Sequence, residues 1–379
     1  MTEAYEPVEI AVAGGSIAGL CAGNALFSAG FDVHVFERSA GRLASRGAGI
    51  VVQPELLGLL AAVDAPALAT TSCSVRRTLD GVDPSGRTWA MPQQFTAWEA
   101  IYSALIAAFP GERYHAGAAL EVERSQNSGV TARAGDRAIS SEVLIAADGF
   151  RSAARKRFAP QTVTRYAGYV AWRGVVDERD LAPNLGDFFD DAFTFCNVAE
   201  GGHALCYFIP GEGLATERGS RRLNWVWYVT VPEGPELDAL MTDRDGRRRD
   251  AAVPQGLVNG DALHNLKTAT RRLDPRFADV VRCTERPFIQ AIVDVVPPSM
   301  VFGRVCLLGD AAFVVRPHTA AAAAKAAADA AALGLALSSA APDYERALQV
   351  WEARRMAVGK QLTGYGMRLG ERSRMFGVR

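Results

Sequence analysis

Residues 8–37 read VEIAVAGGSIAGLCAGNALFSAGFDVHVFE. Val8 to Ala13 is a short apolar strand. Gly14, Gly15, Ser16 and Gly19 form a tight turn that opens a helix, and Ile17 and Ala18 lie inside its first turn. A second apolar strand ends on Glu37, followed by Arg38. This order is that of a βαβ unit holding the ADP half of a dinucleotide. The free N–H groups at the helix start, together with its dipole, suit a pyrophosphate. A carboxylate at Glu37 can accept hydrogen bonds from a ribose 2′-OH and would repel a 2′-phosphate. The usual pattern is G-x-G-x-x-G, and here its middle glycine is Ser16, the smallest departure that still lets a phosphate approach. The competing reading is a chance glycine turn in a purely structural unit. The strand, the helix and the spacing of Glu37 argue against it.

The chain has 379 residues, enough for two domains with a shared interface. It is 49% hydrophobic and 22% charged, which is ordinary for a soluble globular protein. A net charge of −1 offers no electrostatic case for nucleic acid or an anionic membrane. Cys21, Cys73, Cys196, Cys206, Cys283 and Cys306 show no C-x-x-C spacing and read as buried free thiols in a reducing cytoplasm. No metal is expected. The N-terminus lacks the basic and apolar regions of a signal peptide, so a cytoplasmic location is expected. Thr319–Ala341 is alanine-rich and contains Lys325 and Asp329. It is too weakly apolar to span a membrane and reads as a helix packed closely on other backbone.

Further along, Arg46–Val52 (RGAGIVV) is a glycine-marked extended segment, and residues 74–95 read as a hairpin. Trp98–Phe109 reads as a helix, with Ile101, Leu105, Ile106 and Phe109 on one face. Ala119–Ile139 gives short strands, and Val143–Ala147 is a continuous apolar strand leading into Asp148-Gly149. Between 166 and 231 the runs YAGYVAWRGV, AFTFCNV, HALCYFIP and NWVWYVTV alternate with period two. They predict an antiparallel sheet with a buried aromatic face. Val301–Leu308 returns to a buried strand closed by Gly309-Asp310, and two helices follow, Thr319–Ser339 and Tyr344–Leu369. The fold class is therefore α/β: a discontinuous Rossmann-like domain (1–73, 96–165 and 286–345), a substrate domain with an antiparallel sheet (74–95 and 166–285), and a C-terminal helical segment (346–379).

Two more motifs follow buried strands. Ala146–Arg155 reads AADGFRSAAR, and Val305–Ala312 reads VCLLGDAA. An aspartate at the carboxyl edge of a parallel sheet is well placed for a ligand hydroxyl. Either Asp-Gly or Gly-Asp alone could be a simple turn. The three motifs in this order resemble the class A flavoprotein monooxygenases, the aromatic hydroxylases typified by p-hydroxybenzoate hydroxylase, over roughly residues 8–370. The resemblance implies noncovalent FAD held by the first turn and Glu37, by Asp148 and Gly149, by Gly309 and Asp310, and by the segments Gly49, Ile50, Val51 and Pro317, Ala320, Ala321, Ala322. It also implies NADH as a transient cosubstrate, O2, a C4a-hydroperoxyflavin that hydroxylates a small electron-rich aromatic ring, and it allows a homodimer. The stretches GAGIVVQPEL, GERYH, YAGYVAWRGV, GHALCYFIPG and LMTD resemble family members that act on hydroxypyridines. A hydroxybenzoate or 6-hydroxynicotinate-type substrate, or flavin binding without hydroxylase turnover, are the alternatives.

Two departures from the family pattern stand out. Trp98 occupies a place where many members have an arginine for the flavin diphosphate. The loop after Pro317, glycine-rich in the family, is His318-Thr319 followed by alanines, which donate N–H groups but do not readily take positive φ. Trp172, Phe195, His203, Tyr207 and Trp227 are candidates for the substrate wall or simply for sheet core, since half of an alternating set faces away. His318, on the flavin loop, is the candidate base that removes a phenolic proton, with Tyr207 next. Lys325 could neutralise an anionic flavin or be solvated.

Overall fold

The computed structural model describes residues 6–41, 43, 48–79, 85–126, 129–198 and 201–372. Two sheets organise them. In the first, the strand order is Val301–Phe302, Val305–Leu307, Arg137–Ala146, Glu6–Ala13, Val33–Glu37, Tyr114–Ala116. The pairs Val305–Leu307 to Arg137–Ala146, Arg137–Ala146 to Glu6–Ala13, Glu6–Ala13 to Val33–Glu37 and Val33–Glu37 to Tyr114–Ala116 are parallel. The hairpin of Leu120–Gln126 and Gly129–Ala134 joins the Arg137–Ala146 strand antiparallel. Ile10, Ala11 and Val12 are fully buried, as a central strand covered on both faces requires. Helix Ile17–Ser28 packs on the alanine-rich helix Ala322–Ala340. A Cβ on Gly334 would lie 3.3 Å from the Ala25 carbonyl oxygen, so small residues let the two backbones approach. Among the described residues, no helix is long and apolar enough to cross a membrane.

The second sheet has nine strands, in the order Ala252–Val253, Phe288–Val295, Thr164–Asp177, Arg222–Thr230, His203–Ile209, Ala192–Asn197, Thr71–Leu79, Arg87–Ala97, Gly49–Val51. All neighbours are antiparallel except Ala192–Asn197 against Thr71–Leu79, which is parallel. This sheet crosses the boundaries expected at 73, 96 and 286. Gly49–Val51, the start of Thr71–Leu79 and Phe288–Val295 belong to it because their backbone pairing partners lie there. Local hydrophobicity does not reveal which sheet supplies a partner. The expected strand Val301–Leu308 is also interrupted: Val301–Phe302 folds back on Val305–Leu307 as a hairpin. The extended segment expected over 46–52 is seen from Gly49 onward, its first residues lying outside the described set, as do Gly81 and Pro84 of the predicted hairpin.

The sheet has two unlike faces. One bears Trp172, Trp225 and Trp227 and packs on Leu237, Leu266 and Phe277 of the helices between residues 235 and 283. Burying each such side chain contributes about 1.5–3 kcal/mol. The Trp225 indole donates to Thr284 Oγ1 at 2.8 Å. The other face bears Tyr169, Phe193, Leu205, Tyr207 and Tyr228 and meets Phe95. The six cysteines are free, five of them buried, but Cys283 is exposed because it ends helix Pro275–Cys283 at the surface.

Candidate functional site

At the first turn, backbone geometry selects glycine. Gly14 has φ +106°, and a Cβ there would lie 2.4 Å from the Ala147 carbonyl oxygen. A Cβ on Gly19 would fall 1.7 Å from the Gly14 oxygen, so helix and strand could not close. Ser16 is the N-cap in extended conformation, and its side chain makes no capping hydrogen bond. Its hydroxyl and the helix N–H groups therefore remain for an anion. Glu37 is buried. Its Oε2 accepts from Gly15 N at 2.8 Å and its Oε1 from Ser39 N at 2.9 Å. Each oxygen keeps acceptor capacity for a ribose hydroxyl. The Tyr114 hydroxyl donates to the Gly15 carbonyl at 3.0 Å, so the turn is gripped from both sides. Ile17 is buried and Ala18 partly buried, so these two offer a ligand backbone rather than side chain; Arg38 is exposed.

The other two motifs end on the same sheet edge. Asp148 Oδ2 accepts from Ala153 N at 2.7 Å, while its buried Oδ1 has no partner. Gly149 lies beside it with φ +79°. Ser152 Oγ caps the short helix by accepting from Arg155 N at 2.9 Å. The Arg155 guanidinium donates to the carbonyls of Asp310 and Ala311 at 2.9 and 2.8 Å. It thereby ties the Asp148-Gly149 motif to the Gly309-Asp310 motif. Asp310 reaches the surface, yet desolvation of its carboxyl raises it above the usual carboxylate range, with Lys325 and Arg155 pulling the other way.

The loop after Pro317 takes a left-handed residue without glycine. Ala320 has φ +54°, and Ala321 leads into the helix beginning at Ala322. Thr319 Oγ1 donates to the Arg316 carbonyl and accepts from Ala321 N, which holds the turn. Arg316, buried, forms two hydrogen bonds to Asp294 at 2.8 and 2.6 Å and anchors the loop to the second sheet. Lys325 is not solvated. It is 4% exposed and paired with Asp329, which also binds Arg355.

Sheet alternation divides the substrate-wall candidates. Trp172 and Trp227 face the helices, so they are core rather than ligand wall. Phe195, His203 and Tyr207 lie on the face toward the loop. Tyr207 stacks on Phe95 with centroids 4.2 Å apart and lies against Gly49. Burial pushes its hydroxyl up, so it stays a neutral phenol at neutral pH and serves as a donor rather than a base. Burial lowers His203 to about 4. His318 packs on Tyr169 and Tyr228, with centroids 6.2 and 5.7 Å away. Its Nε2 meets the Gly366 carbonyl at 2.8 Å, which assigns the proton to Nε2. Buried Nδ1 has no partner and is an acceptor. Burial also lowers its pKa, leaving the ring neutral.

Residues that sequence reasoning passed over also stand here, beside Arg155 of the AADGFRSAAR motif: Tyr114, Tyr169, Asn224 and Tyr228. Asn224 and Tyr228 could have been found by parity, because they alternate with Trp225 and Trp227. Gly49 N donates to Asn224 Oδ1 at 2.9 Å, which fixes Gly49, Ile50 and Val51 to the second sheet.

Comparison with known proteins agrees with this geometry. A family model described as FAD binding domain-like matches residues 166–294. The chain is 38% identical over 358 residues to 2,6-dihydroxypyridine 3-monooxygenase of Paenarthrobacter nicotinovorans, covering 92% of this chain and 87% of that one. It is 27% identical to a 3-amino-4-hydroxybenzoate 2-monooxygenase of Streptomyces platensis, over 92% of this chain and 84% of that one. The solved structure of 2,6-dihydroxypyridine-3-hydroxylase from Arthrobacter nicotinovorans superposes with a TM-score of 0.89 at 35% identity, covering 99% of this chain and 95% of that one. A glycine turn at the head of a βαβ unit, two further motifs at one sheet edge, an aromatic sheet face and relatives of this similarity together place the chain in the class A flavoprotein monooxygenases: it is an FAD-dependent aromatic monooxygenase.

Proposed function

We propose that the enzyme hydroxylates a small hydroxypyridine such as 2,6-dihydroxypyridine, using NADH and O2. The observation that carries this reading is His318: a neutral imidazole, its Nε2–H held by Gly366 and its Nδ1 free, on the aromatic face beside the flavin loop. The similarity to the dihydroxypyridine enzyme supports the substrate class. Overall, substrate, NADH, O2 and a proton become the ring-hydroxylated product, NAD⁺ and water. When bound, FAD supplies hydride acceptance and oxygen activation.

The chain's own residues do the rest. The N–H groups of Ser16 to Gly19 and Ser16 Oγ would hold the pyrophosphate, and Glu37, which already accepts from Gly15 N, would hold the adenosine ribose. Asp310 would receive the ribityl side, the unpartnered Oδ1 of Asp148 would add an acceptor nearby, and the loop of Ala320 to Ala322, whose first two N–H groups donate to the Pro317 carbonyl and Thr319 Oγ1, would border the flavin ring. Tyr169, Tyr228, Tyr207 and Phe195 wall the substrate and exclude water. His318 Nδ1 takes the proton of a substrate hydroxyl as the ring becomes electron-rich, and the Gly366 carbonyl stabilises the resulting imidazolium.

The test is NADH oxidation by the FAD-loaded enzyme against hydroxypyridines and hydroxybenzoates, with product identified by mass. Stimulated oxidation and a hydroxylated product with 2,6-dihydroxypyridine are expected. Stimulation by a hydroxybenzoate alone, or better kcat/KM with NADPH, would reject the corresponding part of the reading.

A further inference from the structure

Two side chains on the inner face of the second sheet keep polar atoms that the fold does not satisfy. Asn224 is fully buried. Its Oδ1 accepts from Gly49 N, so its Nδ2 is the free end, and that donor has no partner. Arg173 stands on the same face, in step with Tyr169 and Ala171. It makes no ion pair with a described carboxylate. Its Nη1 donates to Gln290 Oε1 at 3.1 Å, and its buried Nε is unpaired among the described residues. Its positive charge works against the burial that pushes the phenols of Tyr207 and Tyr228 up. Tyr228 in turn packs on His318. Donors left unmet in a core are destabilising, so such groups mark a place where a ligand completes the hydrogen bonding. Here the unmet groups are a cation and an amide donor on the sheet, and one acceptor, His318 Nδ1, on the loop.

We propose that Arg173 and Asn224 form an anion seat, and that the substrate occupies it as a planar monoanion of a hydroxylated N-heteroaromatic, its charged edge on these two donors and a neutral hydroxyl on His318 Nδ1. This deepens the hydroxylase reading and rests on it for the identity of the ring. A hydrogen-bonded oxyanion keeps its charge and leaves the ring electron-rich. The opposite disposition, a neutral substrate, would leave the Arg173 charge facing no counterpart in a desolvated site. A ring carboxylate would satisfy the same donors, so the ligand panel separates the two sources of charge.

The experiment is a spectrophotometric titration of the FAD-loaded protein with 2,6-dihydroxypyridine and with 3-hydroxybenzoate from about pH 6 to 9. Ultraviolet difference spectra read the ionisation of the bound ring. Variants are Arg173→Met, Arg173→Lys and Asn224→Asp, the last keeping an acceptor for Gly49 N while removing the donor. Bound FAD reports folding. We expect Arg173→Met to weaken dihydroxypyridine binding by about tenfold or more and to raise the pH at which the bound ring ionises. Arg173→Lys should recover part of both, and Asn224→Asp should weaken binding in the same sense. Unchanged affinity and ionisation in Arg173→Met and Asn224→Asp would overturn the seat. Binding of 3-hydroxybenzoate alone, lost in Arg173→Met, would support the seat and overturn the hydroxypyridine reading.

Discussion

The Arg155 guanidinium donates to the main-chain carbonyl of Asp310 at 2.9 Å, joining two motifs 155 residues apart. Arg155 is buried; the same Nη1 also donates to the Ala311 carbonyl, and Nη2 donates to the Phe150 carbonyl. It therefore sets where the Asp310 carboxylate stands relative to the Gly14 turn. Each of these charged hydrogen bonds is worth about 1.5–3 kcal/mol. Arg155→Ala should lower the melting temperature of the FAD-free protein and lose bound FAD on gel filtration. Arg155→Lys, lacking the planar fork, should recover only part. A variant with wild-type melting and FAD content would refute this role.

Glu37 closes the first turn through Gly15 and Ser39 before any ligand arrives. Glu37→Ala should weaken FAD by about 1.5–3 kcal/mol, measured by quenching of flavin fluorescence. Glu37→Gln, with one acceptor oxygen left, should lie between. Equal dissociation constants in all three proteins would remove Glu37 from the site.

Ala320 adopts φ +54° without the usual glycine. A left-handed L-residue costs about 1–2 kcal/mol, and glycine regains part of that against its larger unfolded entropy. Ala320→Gly should raise unfolding free energy in urea by about 0.5–1 kcal/mol. A loss of stability would mean that the Ala320 methyl makes contacts worth more than the strain.

His318→Ala should retain FAD but lower product formation by roughly 10²–10⁴-fold. NADH oxidation should persist with hydrogen peroxide released. Raising the pH, which ionises the substrate in solution, should return part of the rate. The quantity to compare is product per NADH across pH. Coincident profiles for wild type and variant would reduce His318 to a loop residue.

His203 supplies a pH dependence of stability. Burial lowers it to about 4 in the folded protein. Unfolded histidine titrates near about 6.5, so between those values the unfolded chain binds the extra proton. Stability from this group is present above about pH 6.5 and is lost as pH falls toward the folded value, by roughly 2–3 kcal/mol. His203→Gln should flatten urea midpoints across that window. A slope identical to wild type would place the acid sensitivity elsewhere.

The chain's local chemistry already contained the three glycine-marked motifs, the helices and the alternation of the aromatic strands. A glycine turn, an Asp-Gly after a buried strand and period-two patterning are near-neighbour properties, so residue order alone determines them. Tertiary structure decided three other matters. It assigned Gly49–Val51 and Phe288–Val295 to the second sheet, because backbone partners come from distant strands. It turned Trp172 and Trp227 toward the helices and Tyr228 and Asn224 toward the loop, because period two yields two faces without saying which meets the ligand. It also set the proton of His318, whose tautomer depends on the Gly366 carbonyl, 48 residues away on another helix. A hydrogen-bond partner so remote in sequence leaves no local signature, and only folding brings it within reach.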